Sequence, residues 1–148
     1  MKKLILALGF ASGLFLGTPG HAETAPTITV YKSPTCGCCR DWVRHLEENG
    51  FEVEAIDTQN LNTIKAQAGL TPALASCHTA FVNDYVIEGH VPARDIHRLL
   101  AQDLPARGLS VPGMPVGSPG MELGDRQDAY QVLLFNEQGQ TRVFADYR

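Results

Sequence analysis

Between residues 27 and 33 apolar and polar side chains alternate, with Ile28 and Val30 on one face, and this period of two predicts a strand. From Cys38 to Asn49 the period becomes helical: Cys39, Trp42, Val43 and Leu46 fall at i, i+3, i+4 and i+7, and Gly50 ends the stripe. Phe51, Val53 and Ala55 alternate again as a second strand. Asn60 or Asn62 can cap a second helix running to about Gly69, and Pro72 bars its continuation. The runs "HTAFV" and "YVIEG" flank Asn83-Asp84, a two-residue turn signal, so they predict a hairpin. The stretch "VPARDIHRLLAQ" then gathers Ile96, Leu99 and Leu100 on one face of a third helix, with Pro92 in its first turn.

The resulting order, β-α-β-α-β-β-α, predicts an α/β fold whose first two strands are parallel, joined right-handedly, with helices packed on the sheet. It resembles the thioredoxin fold, in which a Cys-x-x-Cys motif follows the first strand and opens the first helix. Residues 104–128 are rich in Pro and Gly and keep neither period, which predicts a long irregular arm. Residues 129–148 give two alternating runs about Gln138-Gly139, a terminal hairpin that extends the sheet or pins the arm.

The N-terminus changes the setting of this fold. Residues 1–22 carry two lysines, an apolar run from Leu4 to Leu16, and small residues at Gly20 and Ala22, the pattern of a secretory signal peptide. The apolar run is shorter than the roughly 20 residues of a spanning helix. The expected mature chain, 23–148, is a single domain with no membrane span, and in a Gram-negative cell it is periplasmic. The full chain has a net charge of −4, and losing Lys2 and Lys3 takes it to about −6, which argues against nucleic acid as a partner.

Three of the four cysteines crowd into "TCGCCR", at Cys36, Cys38 and Cys39. A strand running into a helix N-terminus presents these side chains at an exposed edge, where the helix dipole and Arg40 favour thiolate. Thiolate attacks disulfides and also binds metal, so this environment alone does not choose between redox and metal chemistry. The spacing says more. Cys38 and Cys39 diverge by about 100° around the helix, so the three sulfurs fan out, an arrangement suited to separate or bridged soft ions such as Cu(I). Cys77 lies in the loop before the third strand, which in a thioredoxin-like fold faces the Cys motif; its alternative role is a structural cysteine or a disulfide partner. Met114 and Met121 in the arm offer thioethers that prefer Cu(I), or else fill packing gaps. His90 is a candidate nitrogen ligand. His78 adjoins Cys77, but neighbours in a strand point to opposite faces, which argues against both sharing one site. His45 and His97 lie among charged helix residues and are expected to be solvated.

Together, "VYKSPTCGCCRDWVRHLEENGFEV", "SCHTAFVNDYVIEGHVPA" and "GLSVPGMPVGSPGME" resemble the exported CopG-type copper-resistance proteins, a thioredoxin-like family. The resemblance implies copper, as Cu(I) in one or several ions, held by Cys36, Cys38, Cys39 and Cys77, with Met114, Met121 and His90 as further candidates. It implies periplasmic copper carriers or efflux-pump components as partners. Because copper and cysteine are both redox active, interconversion of Cu(I) and Cu(II) is a further step open to such a site, and whether the chain is an enzyme stays open. Two alternatives make different predictions. A thioredoxin-type thiol-disulfide oxidoreductase would use Cys36 as nucleophile and Cys39 as resolving thiol and be indifferent to Cys38. A structural zinc module would close all four cysteines around one ion and unfold on chelation.

Overall fold

A computed structural model describes residues 26–148 of the chain. The signal-peptide expectation for residues 1–22 falls outside the described residues.

The expected order of elements is observed: β1 (Thr27–Lys32), α1 (Gly37–Glu48), β2 (Glu52–Asp57), α2 (Leu61–Gln67), β3 (His78–Val82), β4 (Tyr85–Glu88) and α3 (Ala93–Gln102). A short 3-10 turn, Pro72–Leu74, precedes β3, with Pro72 at its start where the missing N–H leaves no bond unmade. Three further strands follow: β5 (Gly108–Ser110), β6 (Tyr130–Phe135) and β7 (Thr141–Tyr147). All seven strands form one sheet in the order β2-β1-β3-β4-β5-β6-β7. The β1–β2 pair is parallel, as the connection through α1 requires, and β3–β4 is the expected antiparallel hairpin.

β5 lies inside the stretch that the sequence predicts to be wholly irregular. It pairs in parallel with β4 and antiparallel with β6, so it joins the terminal hairpin to the sheet. Gly108 makes this join possible, because a Cβ there would lie 1.8 Å from the Val86 carbonyl oxygen. The terminal hairpin thus extends the sheet and does not merely cap the arm.

The apolar stripes decide the layers. Trp42 and Leu46 of α1 and Ile96 and Leu99 of α3 are fully buried with Ile28, Val30, Ile87, Leu109 and Val132 in one core. Ala68, Leu74, Val86 and Phe135 form a smaller core. The Trp42 indole N–H donates to the Val91 carbonyl at 2.9 Å, which ties the middle of α1 to the segment entering α3. The starts of both helices, and the loop entering β3, are thereby held at one end of the sheet.

Candidate metal centre

Cys36 is the N-cap of α1, in extended backbone geometry, and offers no side-chain cap. The cysteines that follow occupy the first helical turn and diverge as the helix demands: Cys39 is fully buried and Cys38 half-buried. Cys36 and Cys39 form a disulfide, with their Cα atoms 5.4 Å apart. The two free thiols stand at its two ends. Cys38 Sγ is 3.3 Å from Cys36 Sγ, and Cys77 Sγ is 3.4 Å from Cys39 Sγ. All four sulfurs lie within 4.8 Å of one another.

Cys77 also belongs to a second group with His78 and His90, whose nearest donor atoms again lie within 4.8 Å. His90 Nδ1 is 2.8 Å from the Pro119 carbonyl oxygen, which can only accept, so this nitrogen carries the proton. The lone pair on Nε2 then faces Cys77 Sγ at 3.1 Å. His78 repeats the device with its nitrogens exchanged. Nε2 donates to the Gly89 carbonyl at 3.0 Å, leaving the Nδ1 lone pair 3.3 Å from the same sulfur. Burial lowers the pKa of both rings, that of His78 far below its usual value with help from His90 and Lys65. Both are therefore held neutral, the form that binds metal. Burial, and after it the neighbouring Cys38, pushes the Cys77 thiol up to about 12, so a metal ion arriving there must displace its proton.

The expectation that His78 points away from Cys77 is wrong. Alternation applies within a strand, whereas Cys77 is the last loop residue and His78 the first residue of β3. The ring also packs on Trp42, with centroids 4.3 Å apart, which fixes its plane. His45 is not simply solvated either: its Nε2 accepts the backbone N–H of Ala93, the first residue of α3, at 3.0 Å, and burial lowers its pKa. His97 is exposed, as expected, and stacks on Phe51.

The arm reaches the centre at two places. Gly113 donates its N–H to the Ala75 carbonyl at 3.1 Å and accepts the Ser76 hydroxyl at 2.5 Å, which sets its exposed neighbour Met114 beside the Cys77 loop. Farther on, Pro119 binds His90 and Gly120 lies against α1, where a Cβ would come within 2.7 Å of Trp42 N and 2.8 Å of the Cys38 carbonyl oxygen. Met121, next in the chain, is half-buried.

Glu88 anchors the loop from below, a role that the sequence pattern did not reveal. Its fully buried carboxylate accepts the Ser76 N–H at 2.6 Å, the Thr79 hydroxyl at 2.7 Å and the Lys65 ammonium. Among the described residues every buried side-chain nitrogen and oxygen has a hydrogen-bond partner, so the polar groups around the sulfurs are fixed and satisfied.

Four sulfurs and two neutral imidazoles, gathered at one end of a mixed α/β sheet, define a class: an α/β protein with a soft-donor cluster of metal-site composition. Residues 74–121 match a family model described as "Protein of unknown function, DUF411". Two solved structures, described as copper resistance protein CopG, Form 2 and Form 1, are each 46% identical to this chain with a TM-score of 0.80. Each match covers 84% of this chain, and 99% and 98% respectively of the CopG chain. No curated protein sequence matches. The chain belongs to the CopG family of copper-resistance proteins.

Proposed function

We propose that this protein binds copper in the periplasm as part of copper resistance, holding Cu(I), in one or several ions, through Cys36, Cys38, Cys39 and Cys77. The observation that carries the reading is the gathering of four sulfurs within 4.8 Å of one another, with Cys77 shared by two neutral imidazoles. Thiolate is the preferred donor for Cu(I) and bridges it readily, so a set of sulfurs this close fits more than one ion. His90 supplies a nitrogen donor, His78 a second, and Met114 and Met121 supply thioethers from the arm, which need no deprotonation and suit capture or release at the rim. Copper there would add one-electron redox chemistry between Cu(I) and Cu(II). The export signal read in residues 1–22 supports the periplasm, where copper carriers and efflux-pump components are the expected partners.

The Cys36–Cys39 disulfide must be reduced by two electrons before all four sulfurs can bind as thiolates. Metal analysis of reduced protein loaded with Cu(I), for the wild type and for Cys36→Ser and Cys77→Ser, tests the reading. Each serine variant is expected to lose at least part of the bound copper, and unchanged stoichiometry in both would overturn the assignment.

A further inference from the structure

His78 and His90 both turn a lone pair toward Cys77, but the carbonyls that set the two rings belong to different parts of the fold. His78 donates to Gly89, just past β4, and so to the core. His90 donates to Pro119, which lies in the arm, within the irregular run of residues 111–129 between β5 and β6. The backbone that carries His90 is itself part of the core: the Gly89 N–H donates to the His78 carbonyl at 3.2 Å, and the Val91 carbonyl accepts the Trp42 indole. Only the partner of the ring comes from the arm.

We propose that the docked arm positions His90 as a donor: the Pro119 carbonyl keeps the ring proton on Nδ1, which leaves the Nε2 lone pair facing Cys77 Sγ. The inference rests on the reading of His90 as a nitrogen donor to copper. A histidine that binds metal takes its tautomer and its orientation from the hydrogen bond of its other nitrogen. Pro119 directly precedes Gly120, whose Cα stands so close to α1 that a Cβ would lie 2.7 Å from Trp42 N and 2.8 Å from the Cys38 carbonyl oxygen. That close approach seats the Pro119 carbonyl against the ring. Once the arm lifts, Nδ1 loses its acceptor, and the proton exchanges between both nitrogens as it does in a free imidazole.

The arm thus divides the donors. The four sulfurs and His78 belong to the core whether the arm is docked or not, whereas His90 is a full donor only when it is docked. The dependence runs both ways. An ion on Nε2 requires the ring proton at Nδ1, where its partner is the Pro119 carbonyl, so filling this position and docking the arm favour each other. Pro119 is a positioning residue that acts through its backbone.

The test starts from metal-free protein labelled with nitrogen-15, at about pH 7.5, above the ordinary histidine pKa of about 6.5. Long-range nitrogen–proton correlation spectra show which ring nitrogen carries the proton. Wild-type His90 should be protonated on Nδ1 and His78 on Nε2. In Gly120→Ala, whose added methyl meets α1, His90 should become an exchanging mixture while His78 keeps its signature and reports a folded core. Competition titrations of the reduced proteins with Cu(I) then complete a cycle with His90→Ala. Gly120→Ala should weaken Cu(I) binding about 10-fold or more, but by no more than about 2-fold where His90 is already alanine. The reciprocal measurement needs no Gly120 variant: Cu(I) should slow proteolysis within residues 111–129 of the wild type and slow it less in His90→Ala. A wild-type His90 protonated on Nε2 or shared between both nitrogens would overturn the proposal. So would a His90 that stays Nδ1-protonated in folded Gly120→Ala, an equal loss of affinity with and without His90, or equal protection of the arm in both proteins. Failure of the copper reading shows separately, as wild-type protein that surrenders Cu(I) to the chelator, and the metal-free spectra then still support or overturn the role of Pro119.

Discussion

Glu88 holds Cys77 in place through the backbone of the residue before it. Its buried carboxylate takes the Ser76 N–H, the Thr79 hydroxyl and the Lys65 charge at once. Glu88→Gln keeps the shape but leaves Lys65, only 13% exposed in its side chain, without its counter-charge. Removing one partner of a buried pair destabilises by about 3 kcal/mol, so the urea midpoint of this variant should fall clearly below that of the wild type. A midpoint unchanged within error would show that the pair does not anchor the loop. The cysteines were legible in the sequence because thiols are few in this chain and three of them share four positions. His78 was not, because whether two neighbours alternate depends on whether the strand has already begun, and here it begins between Cys77 and His78. Glu88 reads as an ordinary strand residue, and only the fold brings Lys65 and Ser76 to it.

At the scale of elements, α1, the β3 entrance and the arm converge on one end of the sheet, and the arm is the part with the least regular structure to hold it. Gly120 fastens it to α1, at a φ of +81° that other residues rarely adopt and with backbone atoms where a side chain would begin. Gly120→Val should therefore lift the arm from α1. The expected outcome is a loss of roughly 1–3 kcal/mol, read as a lower Tm, with faster alkylation of Cys38 in the reduced protein. A wild-type alkylation rate would contradict the docking of the arm. α1, α3, β1 and β2 were legible because each holds its period over several residues, α2 through its cap and the stop at Pro72, and β3 and β4 through the Asn83-Asp84 turn between them. β5 was not: three residues are too few to show a period, and its place depends on the missing side chain of Gly108. The terminal hairpin was legible as a hairpin, but its addition to the sheet beyond β5 is a consequence of that short strand.

For the whole molecule, three histidines are folded in neutral form. His45, His78 and His90 all have pKa values lowered from 6.5, chiefly by burial. Between 6.5 and those lowered values the unfolded chain binds protons that the folded chain does not, so the stability of metal-free protein is full above about pH 6.5 and declines as the pH falls. His78 and His90 each contribute a slope of up to about 1.4 kcal/mol per pH unit, and His45, half-open to water, contributes less. Urea midpoints measured from pH 7.5 down to 5 should drop accordingly, and midpoints that hold or rise would show that these rings accept protons in the fold. The same neutral imidazoles, with four sulfurs beside them, are the basis of the copper reading. Its most direct test is an anaerobic titration of the reduced protein with Cu(I) against a competing chelator, with free thiols counted at the end point. The account predicts tight binding of at least one Cu(I) per chain with the cysteines protected from thiol reagents. Copper surrendered to the chelator while all four thiols remain reactive would contradict it.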